Sequence, residues 1–126
     1  MANSQAMCTS FKGELLSATH NFSSANPAHT ANTADTFKAA LYLTTASLGA
    51  ATTAYSATGE VSGTGYSAGG VTVTNATNPT TGGTTGYWTP SASITYTSVT
   101  LSTAFDAVLI YNSSQSNKAV SVHTFG

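Results

Sequence analysis

The sequence predicts an all-β protein: a single β-sandwich, jelly-roll or immunoglobulin-like, with one short N-terminal helix and long Gly- and Thr-rich loops. Several short segments alternate apolar and polar residues, which is typical of half-buried strands, and Gly- and Thr-rich turns separate them. Six Tyr, five Phe and one Trp lie along the 126 residues, whereas disordered chains lack aromatic side chains. We therefore predict an N-terminal arm over residues 1–10 and one sandwich domain over residues 11–126.

The helix is predicted just after the arm. Phe11, Leu15, Ala18 and Phe22 follow one another at spacings of four, three and four residues, which places them on one helical face. Gly13 weakens this prediction, because glycine costs about 1 kcal/mol relative to alanine inside a helix. A strand carrying Leu15 is the alternative. The small polar residues and the Asn-Pro pair of 23–32 then predict a loop.

The clearest strand is predicted over residues 35–44, where Phe37, Ala39 and Leu41 alternate with less apolar neighbours; a helix is the competing interpretation. The continuously apolar run at 107–111 is typical of a central strand covered on both faces. The remaining predicted strands are 71–74, 94–97, 99–102 and 119–125. Residues 94–97 and 99–102 are either two short strands or one bent strand with a bulge near Ser98. Residues 75–86 lack large apolar side chains and predict a surface loop.

Residues 53–74 form the stretch around which the other elements are arranged. They contain five of the eleven glycines, two tyrosines eleven residues apart (Tyr55 and Tyr66), the apolar Val61 and the isolated Glu60. Such a stretch predicts an ordered loop anchored by its aromatic side chains, and ordered loops are often contact surfaces. For Glu60 two interpretations stay open: it accepts backbone N–H bonds and fixes a turn, or it pairs with a lysine of another subunit.

The scarcity of charge restricts the function. Charged residues make up 6% of the chain, there is no arginine, and the formal net charge is −1, against about 25% charged residues in typical domains. Nucleic acid is an unsuitable partner, because nonspecific affinity comes mainly from neutralised phosphates. We find no apolar run long enough for a membrane span and no signal peptide, so synthesis in a cytoplasm is the expectation. Low charge also favours self-association.

The titratable residues do not form a recognisable catalytic or metal-binding motif. The acids and bases are Glu14, Asp35, Glu60, Asp106 and the histidines at 20, 29 and 123, and none has metal-ligand spacing. The single cysteine, Cys8, cannot form an internal disulfide and lacks a basic neighbour that would activate it. We therefore predict no enzymatic activity, no cofactor and no metal.

Tyr87 and Trp88 follow the polar loop directly, and two interpretations are open for them. The pair could form a stacking platform for a neutral glycan, or Trp88 could fill the core where the loop re-enters the sheet. The core interpretation is favoured.

Five segments resemble small virion-associated proteins of tailed bacteriophages, which are encoded among head and tail genes. The segments are 11–16 (FKGELL), 20–22 (HNF), 35–42 (DTFKAALY), 53–70 (TAYSATGEVSGTGYSAGG) and 107–112 (AVLIYN). The resemblance covers most of the chain and implies a structural role in the virion, assembled in the host cytoplasm, without catalytic residues. It also implies that relatives continue past residue 126 with another strand, so that a neighbour completes the last sheet edge here.

The leading hypothesis is therefore a capsid decoration or cement protein. Its expected partners are the major capsid protein or neighbouring head and tail proteins, with many copies or a homo-oligomer in the particle, and neither nucleic acid nor a membrane. We expect contacts through the loop at 58–70 and through a free edge at 119–125. The candidate contact residues are Tyr55, Glu60, Val61, Tyr66, Tyr87, Trp88, Val120, Val122 and Phe125. The alternative is a tail or fibre adhesin that binds host glycans through Tyr66, Tyr87 and Trp88.

Overall fold

A computed structural model describes residues 2–23, 33–75 and 77–125. The protein is mostly strands with one short helix and several antiparallel sheets, so the all-β prediction is confirmed. The predicted loop at 23–32 lies largely outside the described residues, as does His29. The elements in chain order are β1 (Ala6–Met7), α1 (Thr9–Leu16), β2 (Phe37–Tyr42), β3 (Gly63–Thr64), β4 (Val71–Val73), β5 (Thr80–Gly82), β6 (Thr85–Tyr87), β7 (Thr100–Leu101), β8 (Ala107–Asn112) and β9 (Lys118–Thr124).

The main sheet has five antiparallel strands in the order β1-β9-β8-β2-β4. β8 is its central strand, as the apolar run at 107–111 predicts, and it pairs with β2 along its whole length, from Phe37 opposite Asn112 to Tyr42 opposite Ala107. A register shift after Ile110 marks an irregularity in its pairing with β9. The other strands form two separate two-stranded ribbons, β3-β7 and β5-β6.

The two faces of the main sheet are covered differently. On one face, Tyr42, Leu109 and Val122 are fully buried, and the Tyr55 ring stacks on Tyr111 with 4.8 Å between ring centroids. On the other face, side chains of β2 and β8 line a broad groove. We call the first face closed and the second face open, although the second face is partly covered: Leu41, Ile110 and Val120 at the bottom of the groove are only 3%, 8% and 7% exposed.

The first residues are not a free arm, so that prediction is wrong. Asn3 Nδ2 donates to the Leu43 carbonyl at 2.9 Å, β1 pairs with β9 through Ala6 opposite Val122, and Cys8 has no exposed surface. The segment is ordered because pairing satisfies backbone groups that an edge would leave unpaired.

The same pairing corrects the expectation of a free edge for residues 119–122, whereas β1 does not extend alongside 123–125. β9 has β8 on one side and β1 on the other. The Cys8 N–H also donates to the Val120 carbonyl, and the Ala119 N–H donates to the Thr53 carbonyl. These neighbours come from residues 6–8 and 53–54, and no strand pattern in those residues predicts that they lie beside β9.

The predicted helix is confirmed but is shorter than the apolar stripe. It ends at Leu16, and Ala18 has a left-handed φ of 56°. Phe11 is buried, whereas Leu15 remains 45% exposed. Phe22 lies beyond the helix, and its ring stacks on Phe37 at 4.4 Å.

Gly13→Ala is expected to stabilise the protein. Gly13 lies inside α1, and a Cβ built on it meets no atom within 4 Å. Alanine loses less conformational entropy on folding than glycine in a helix, so the gain should be about 1 kcal/mol in the free energy of unfolding. Urea unfolding measures it. A loss of stability would mean that the helix is not formed as described.

Two other elements differ from the predictions. Residues 94–97 form no strand; only Thr100–Leu101 does, following Ser98 with its left-handed φ of 55°. The predicted loop at 75–86 contains the β5-β6 hairpin, whose two-residue turn begins with Gly83 at a φ of 58°. The sequence does not predict this hairpin because residues 80–86 are all Thr or Gly and form no apolar face.

Candidate functional site: an apolar groove

The open face of the main sheet forms a groove of about 1040 Å³, which we call the apolar groove. Leu41 of β2, Val108 and Ile110 of β8, and Val120 of β9 line it from the sheet. The other large side chains that line it are Met7, Phe11, Leu15, Phe22, Tyr87, Trp88, Ile94, Tyr96, Leu101, Phe105 and Phe125. The groove exists because β2, β8 and β9 all present apolar side chains to this face, and only single side chains from the loops cover it.

The exposed large apolar side chains of the described residues converge on this groove. Six are exposed, and five of them line it: Met7, Leu15, Tyr87, Phe105 and Phe125, with exposed fractions between 39% and 65%. The sixth, Leu16, is 92% exposed and lies outside the lining. Single exposed apolar residues are common, but a contiguous group marks an interaction surface.

Charged side chains do not take part in the groove. Its described lining contains no Asp, Glu, Lys or Arg, and His123 is its single titratable imidazole. His123 Nε2 lies 3.0 Å from the Ser121 hydroxyl, which also lines the groove. A surface of this composition binds through apolar burial rather than through ion pairs.

The charges are instead used inside the fold. Lys12 is the one charged residue of the described chain in the exposed class. Lys118 Nζ contacts Glu14 Oε1 at 2.5 Å, and Glu14 Oε2 lies 2.8 Å from His20 Nε2. His20 Nδ1 is 3.0 Å from Asn112 Nδ2, which also donates to Asp35. This polar network joins α1 to the central strands.

Hydrogen bonds lower the pKa of Glu14 and orient the amide of Asn112. Burial raises the pKa of Glu14, but hydrogen bonds from Lys118 and His20 outweigh burial, so this pKa lies below its ordinary value. Asn112 Oδ1 accepts from the Ser114 N–H, which leaves its Nδ2 as the donor toward His20. The network runs from Lys118, whose side chain is 37% exposed, to His20, whose side chain has no exposed surface. It therefore ties α1 to β8 and β9.

Glu60 is the centre of a second internal cluster. Its Oε2 accepts from the Tyr55 hydroxyl at 2.6 Å, and its Oε1 accepts from the Tyr66 hydroxyl and the Gly69 N–H, each at 2.7 Å. The bond from Gly69 agrees with the interpretation that Glu60 accepts a backbone N–H and fixes a turn. The two phenols are additional partners, which the sequence alone could not identify.

Tyrosine hydroxyls complete the outer edge of β2. β4 pairs with Phe37–Ala39 only, so the edge beyond Ala39 needs other partners. The Leu41 N–H donates to the Tyr66 hydroxyl at 3.0 Å, and the Tyr96 hydroxyl donates to the Ala39 carbonyl at 2.6 Å. The backbone of residues 59–61 supplies further partners, since the Val61 N–H donates to the Leu41 carbonyl and the Leu43 N–H donates to the Gly59 carbonyl. Backbone groups and tyrosine hydroxyls together replace a strand here, and the Tyr96 hydroxyl anchors 94–97 to the sheet without a strand forming.

The pKa values of these tyrosines are raised. For Tyr96, burial and then the negative charge of Glu60 raise the pKa to about 12. Burial is also the main cause for Tyr42, Tyr55, Tyr66 and Tyr111, with Glu60 contributing to each. A phenolate is disfavoured wherever it loses water and faces a carboxylate.

Two substitutions of Glu60 measure how much the hydrogen bonds of this cluster contribute to stability. We expect Glu60→Leu to lower the free energy of unfolding by about 3 kcal/mol, because it leaves the half-buried Tyr55 and Tyr66 hydroxyls and the buried Gly69 N–H without their acceptor. Glu60→Gln is the matched control: its Oε1 can still accept from Tyr66 and Gly69, and its amide can donate to the Tyr55 oxygen, so a loss of about 1 kcal/mol is expected. Urea unfolding measures both. Equal losses would contradict a role for the hydrogen bonds.

Several predicted contact residues are internal instead. Val61 is 4% exposed and Val122 is fully buried, so neither side chain can reach a partner, and these two predictions are wrong. Val122 is buried because its position in β9 points to the closed face. Tyr55 and Tyr66 direct their hydroxyls to Glu60, so the polar atoms of all three residues are used within the chain.

The other predicted contact residues line the apolar groove. Tyr87 and Phe125 are 46% and 65% exposed, whereas Val120 is 7% exposed and forms part of the floor. Trp88 packs against Phe22 and Phe37 with ring centroids 5.0 and 5.5 Å away. Its Nε1 donates to Asn75 Oδ1 at 2.8 Å, which supports the core interpretation of this residue.

Three exposed groove residues, Met7, Leu15 and Phe105, are not among the contact residues that the sequence predicts. Met7 lies in the predicted arm, Leu15 lies on the apolar face of the predicted helix, and Phe105 stands alone in a polar stretch. Only the exposure of Leu15 could have been predicted from the sequence. A helix of eight residues buries little of its surface, and Phe11 already occupies the buried part.

Comparisons with protein-family models, with curated proteins and with solved structures find no match for this chain. Within residues 2–23, 33–75 and 77–125, no group of three or more His, Cys, Asp or Glu side chains could hold a metal ion. No helix of that part of the chain is long and apolar enough to cross a bilayer. Burial raises the pKa of the Cys8 thiol, which makes it a weak nucleophile. The groove is thus the feature from which a function can be argued.

Proposed function

We propose that this chain is a structural protein of a bacteriophage virion, specifically a capsid decoration or cement protein. It binds the assembled shell through contacts with the major capsid protein or with neighbouring head and tail proteins, in many copies. The observation that carries the proposal is the convergence of Met7, Leu15, Tyr87, Phe105 and Phe125 on one uncharged groove. Such a surface costs free energy in water and gains it against another protein.

The resemblance of the five sequence segments to virion-associated proteins supports a place in the virion, after assembly in the host cytoplasm. The low number of charged residues agrees with that place. Five of the seven charged residues have partners within the chain: Glu14 and Lys118 with each other, Asp35 with Asn112, Asp106 with Asn3, and Glu60 with its tyrosines. Little charge therefore remains to make neighbouring copies repel one another. Many weak contacts acting together hold such a protein on a repetitive shell.

The proposal also supplies the second layer of the predicted sandwich. The closed face of the main sheet is covered from within the chain, and the open face needs an apolar cover. A partner protein lying in the apolar groove would be that layer, so that the sandwich would be complete in the particle.

The glycan-binding alternative is less well supported. A sugar-stacking platform needs a free aromatic face, whereas Trp88 packs against Phe22 and Phe37 and its Nε1 bonds to Asn75. Tyr87 keeps an exposed ring, but the hydroxyl of Tyr66 is bound to Glu60. These three residues therefore do not form one platform.

The test is the composition of purified particles from the host that produces this chain. We expect the chain to co-purify with particles in a fixed copy number and to remain bound when the ionic strength is raised, because apolar contacts are weakly screened. A density map of the particle should place it against the shell. Absence from purified particles, or release at moderate ionic strength, would contradict the proposal.

A further inference from the structure

His123 is the single imidazole in the described lining of the apolar groove, and it stands where a partner would cover it. It lies on β9, and its cross-strand neighbour on β8 is Val108, which also lines the groove. The side chain is in the exposed class, so water reaches the ring while the groove is free. The proposed contact surface therefore contains a group of the kind that takes up a proton in water between about pH 7.5 and pH 5.5.

A protonated His123 would meet no opposite charge in the groove. The described lining contains no Asp or Glu, and tyrosines such as those it contains keep their protons below about pH 8. The charged residues of the elements beside β9 lie outside the lining: Lys12 and Glu14 on α1, and Asp106 directly before β8. On β9 itself, Lys118 contacts Glu14 and is also outside the lining. Water is therefore what stabilises a charged imidazole at this position.

We infer that protonation of His123 releases the shell partner from the apolar groove, so that the contact is stable at neutral pH and weakened in acid. This inference rests on the proposed function, because it describes the regulation of that same contact. When the partner covers the groove, it removes the water that stabilises the charged ring and supplies no counter-ion in its place. The proton therefore binds the free chain more readily than the chain in contact with its partner.

The hydrogen bond of His123 allows the ring to change its charge without disturbing the fold. His123 Nε2 lies 3.0 Å from the Ser121 hydroxyl, and the pair is exposed. A hydroxyl can both donate and accept, so Ser121 serves the neutral ring in either role and accepts from the protonated ring. Protonation thus leaves the free chain folded, and its cost arises only where a partner covers the groove.

A carboxylate on the partner would reverse the effect, but the composition of the groove disfavours one. At neutral pH such a carboxylate would face a neutral imidazole in a described lining without Lys or Arg. It would then be buried without a counter-ion, which is unfavourable. A partner that fits the groove at neutral pH is therefore uncharged where it meets His123. Tighter binding in acid would reveal a carboxylate there and would overturn the inference.

The expected size of the effect follows from proton linkage. An imidazole in water is half protonated at about pH 6.5. If the proton binds only to the free chain, the affinity is fully present above that pH and falls about tenfold for each pH unit below it. Each copy should therefore bind the shell about tenfold more weakly at pH 5.5 than at pH 7.5.

The experiment uses purified particles from the host that produces this chain. Particles are washed at pH 7.5 or pH 5.5 at one ionic strength and pelleted, and the copies of the chain that remain are counted. Adding the purified chain back to acid-washed particles over a range of concentrations gives its affinity at each pH. A chain that is absent from particles at pH 7.5 contradicts the proposed function and this inference with it. A chain that binds equally at both pH values overturns the inference alone.

Matched variants assign the effect to one histidine. Glutamine is polar but does not take up a proton in this range, so His123→Gln should give a ratio of affinities at the two pH values close to one, whatever its affinity at pH 7.5. His29→Gln changes a histidine outside the described residues and should keep the tenfold ratio. Circular dichroism of the free chain should be the same at both pH values. If acid releases His123→Gln as it does the wild type, or unfolds the free chain, the inference is wrong.

Discussion

Gly70→Ala should abolish the folded state. A Cβ built on Gly70 would lie 1.7 Å from the Ala39 carbonyl oxygen and 2.7 Å from Ala40 Cα, and its φ of 72° is left-handed. Both neighbours are backbone atoms of β2, a strand in the middle of the main sheet, so neither can move away without breaking the sheet. We expect a loss above about 4 kcal/mol, which leaves the chain unfolded if its total stability lies at the lower end of the usual range of about 5–15 kcal/mol.

The control for Gly70 is Gly83→Ala. Gly83 is also left-handed, with a φ of 58°, but its Cβ would meet no atom within 4 Å. This variant should lose only the conformational penalty of about 1 kcal/mol and remain folded. Far-ultraviolet circular dichroism and urea unfolding compare the two. Similar losses in both variants would show that the close approach of Gly70 to β2 does not exist in solution.

Alkaline pH should unfold the protein in one steep transition above pH 10. In the folded chain the pKa values of Tyr42, Tyr55, Tyr66, Tyr96 and Tyr111 lie above those of the unfolded chain, and for Tyr96 the value is about 12. Above pH 10 the unfolded chain therefore holds fewer protons than the folded one, and stability falls as pH rises. Below the unfolded value near 10 this contribution is fully present.

The size of the expected loss of stability follows from how steeply stability falls with pH. Each tyrosine that keeps its proton only in the folded chain removes about 1.4 kcal/mol of stability per pH unit between its two pKa values. Five such residues acting together make the fall steep enough to unfold an ordinary domain within about two pH units. Tyrosinate absorbance and circular dichroism should then change together.

An exposed tyrosine provides the control for the alkaline transition. Tyr87 is 46% exposed and lies outside the Glu60 cluster, so Tyr87→Phe should leave the transition unchanged. Tyr96→Phe should make it less steep. If the five phenols ionise gradually while the circular dichroism stays constant, they are not enclosed as the structure describes.

Local patterns were sufficient for the elements that carry their own signal. The continuous run at 107–111 predicts a central strand and β8 is one, while the alternation around Phe37 predicts β2. The helix at Thr9–Leu16 follows from the positions of Phe11 and Leu15. In each case, burial of side chains within one segment determines both the pattern and the structure.

Long-range pairing was beyond such patterns. Residues 2–8 look like a polar arm because β1 is stabilised by backbone bonds to β9, which any sequence can make. The β5-β6 hairpin at 80–87 is missed for the same reason. Glu60 could be predicted to fix a turn, but its phenol partners could not, since nothing in their spacing shows which side chains meet.

The sequence by itself determined the class of the fold, the low number of charged residues and the strands with apolar periodicity, because these depend on composition and on neighbours along the chain. Only the tertiary structure decided that Val61 and Val122 are buried while Met7, Leu15 and Phe105 border one groove. Which face of a sheet is closed depends on segments far apart in sequence. The packing of those segments determines which face is closed, and no local sequence pattern predicts it.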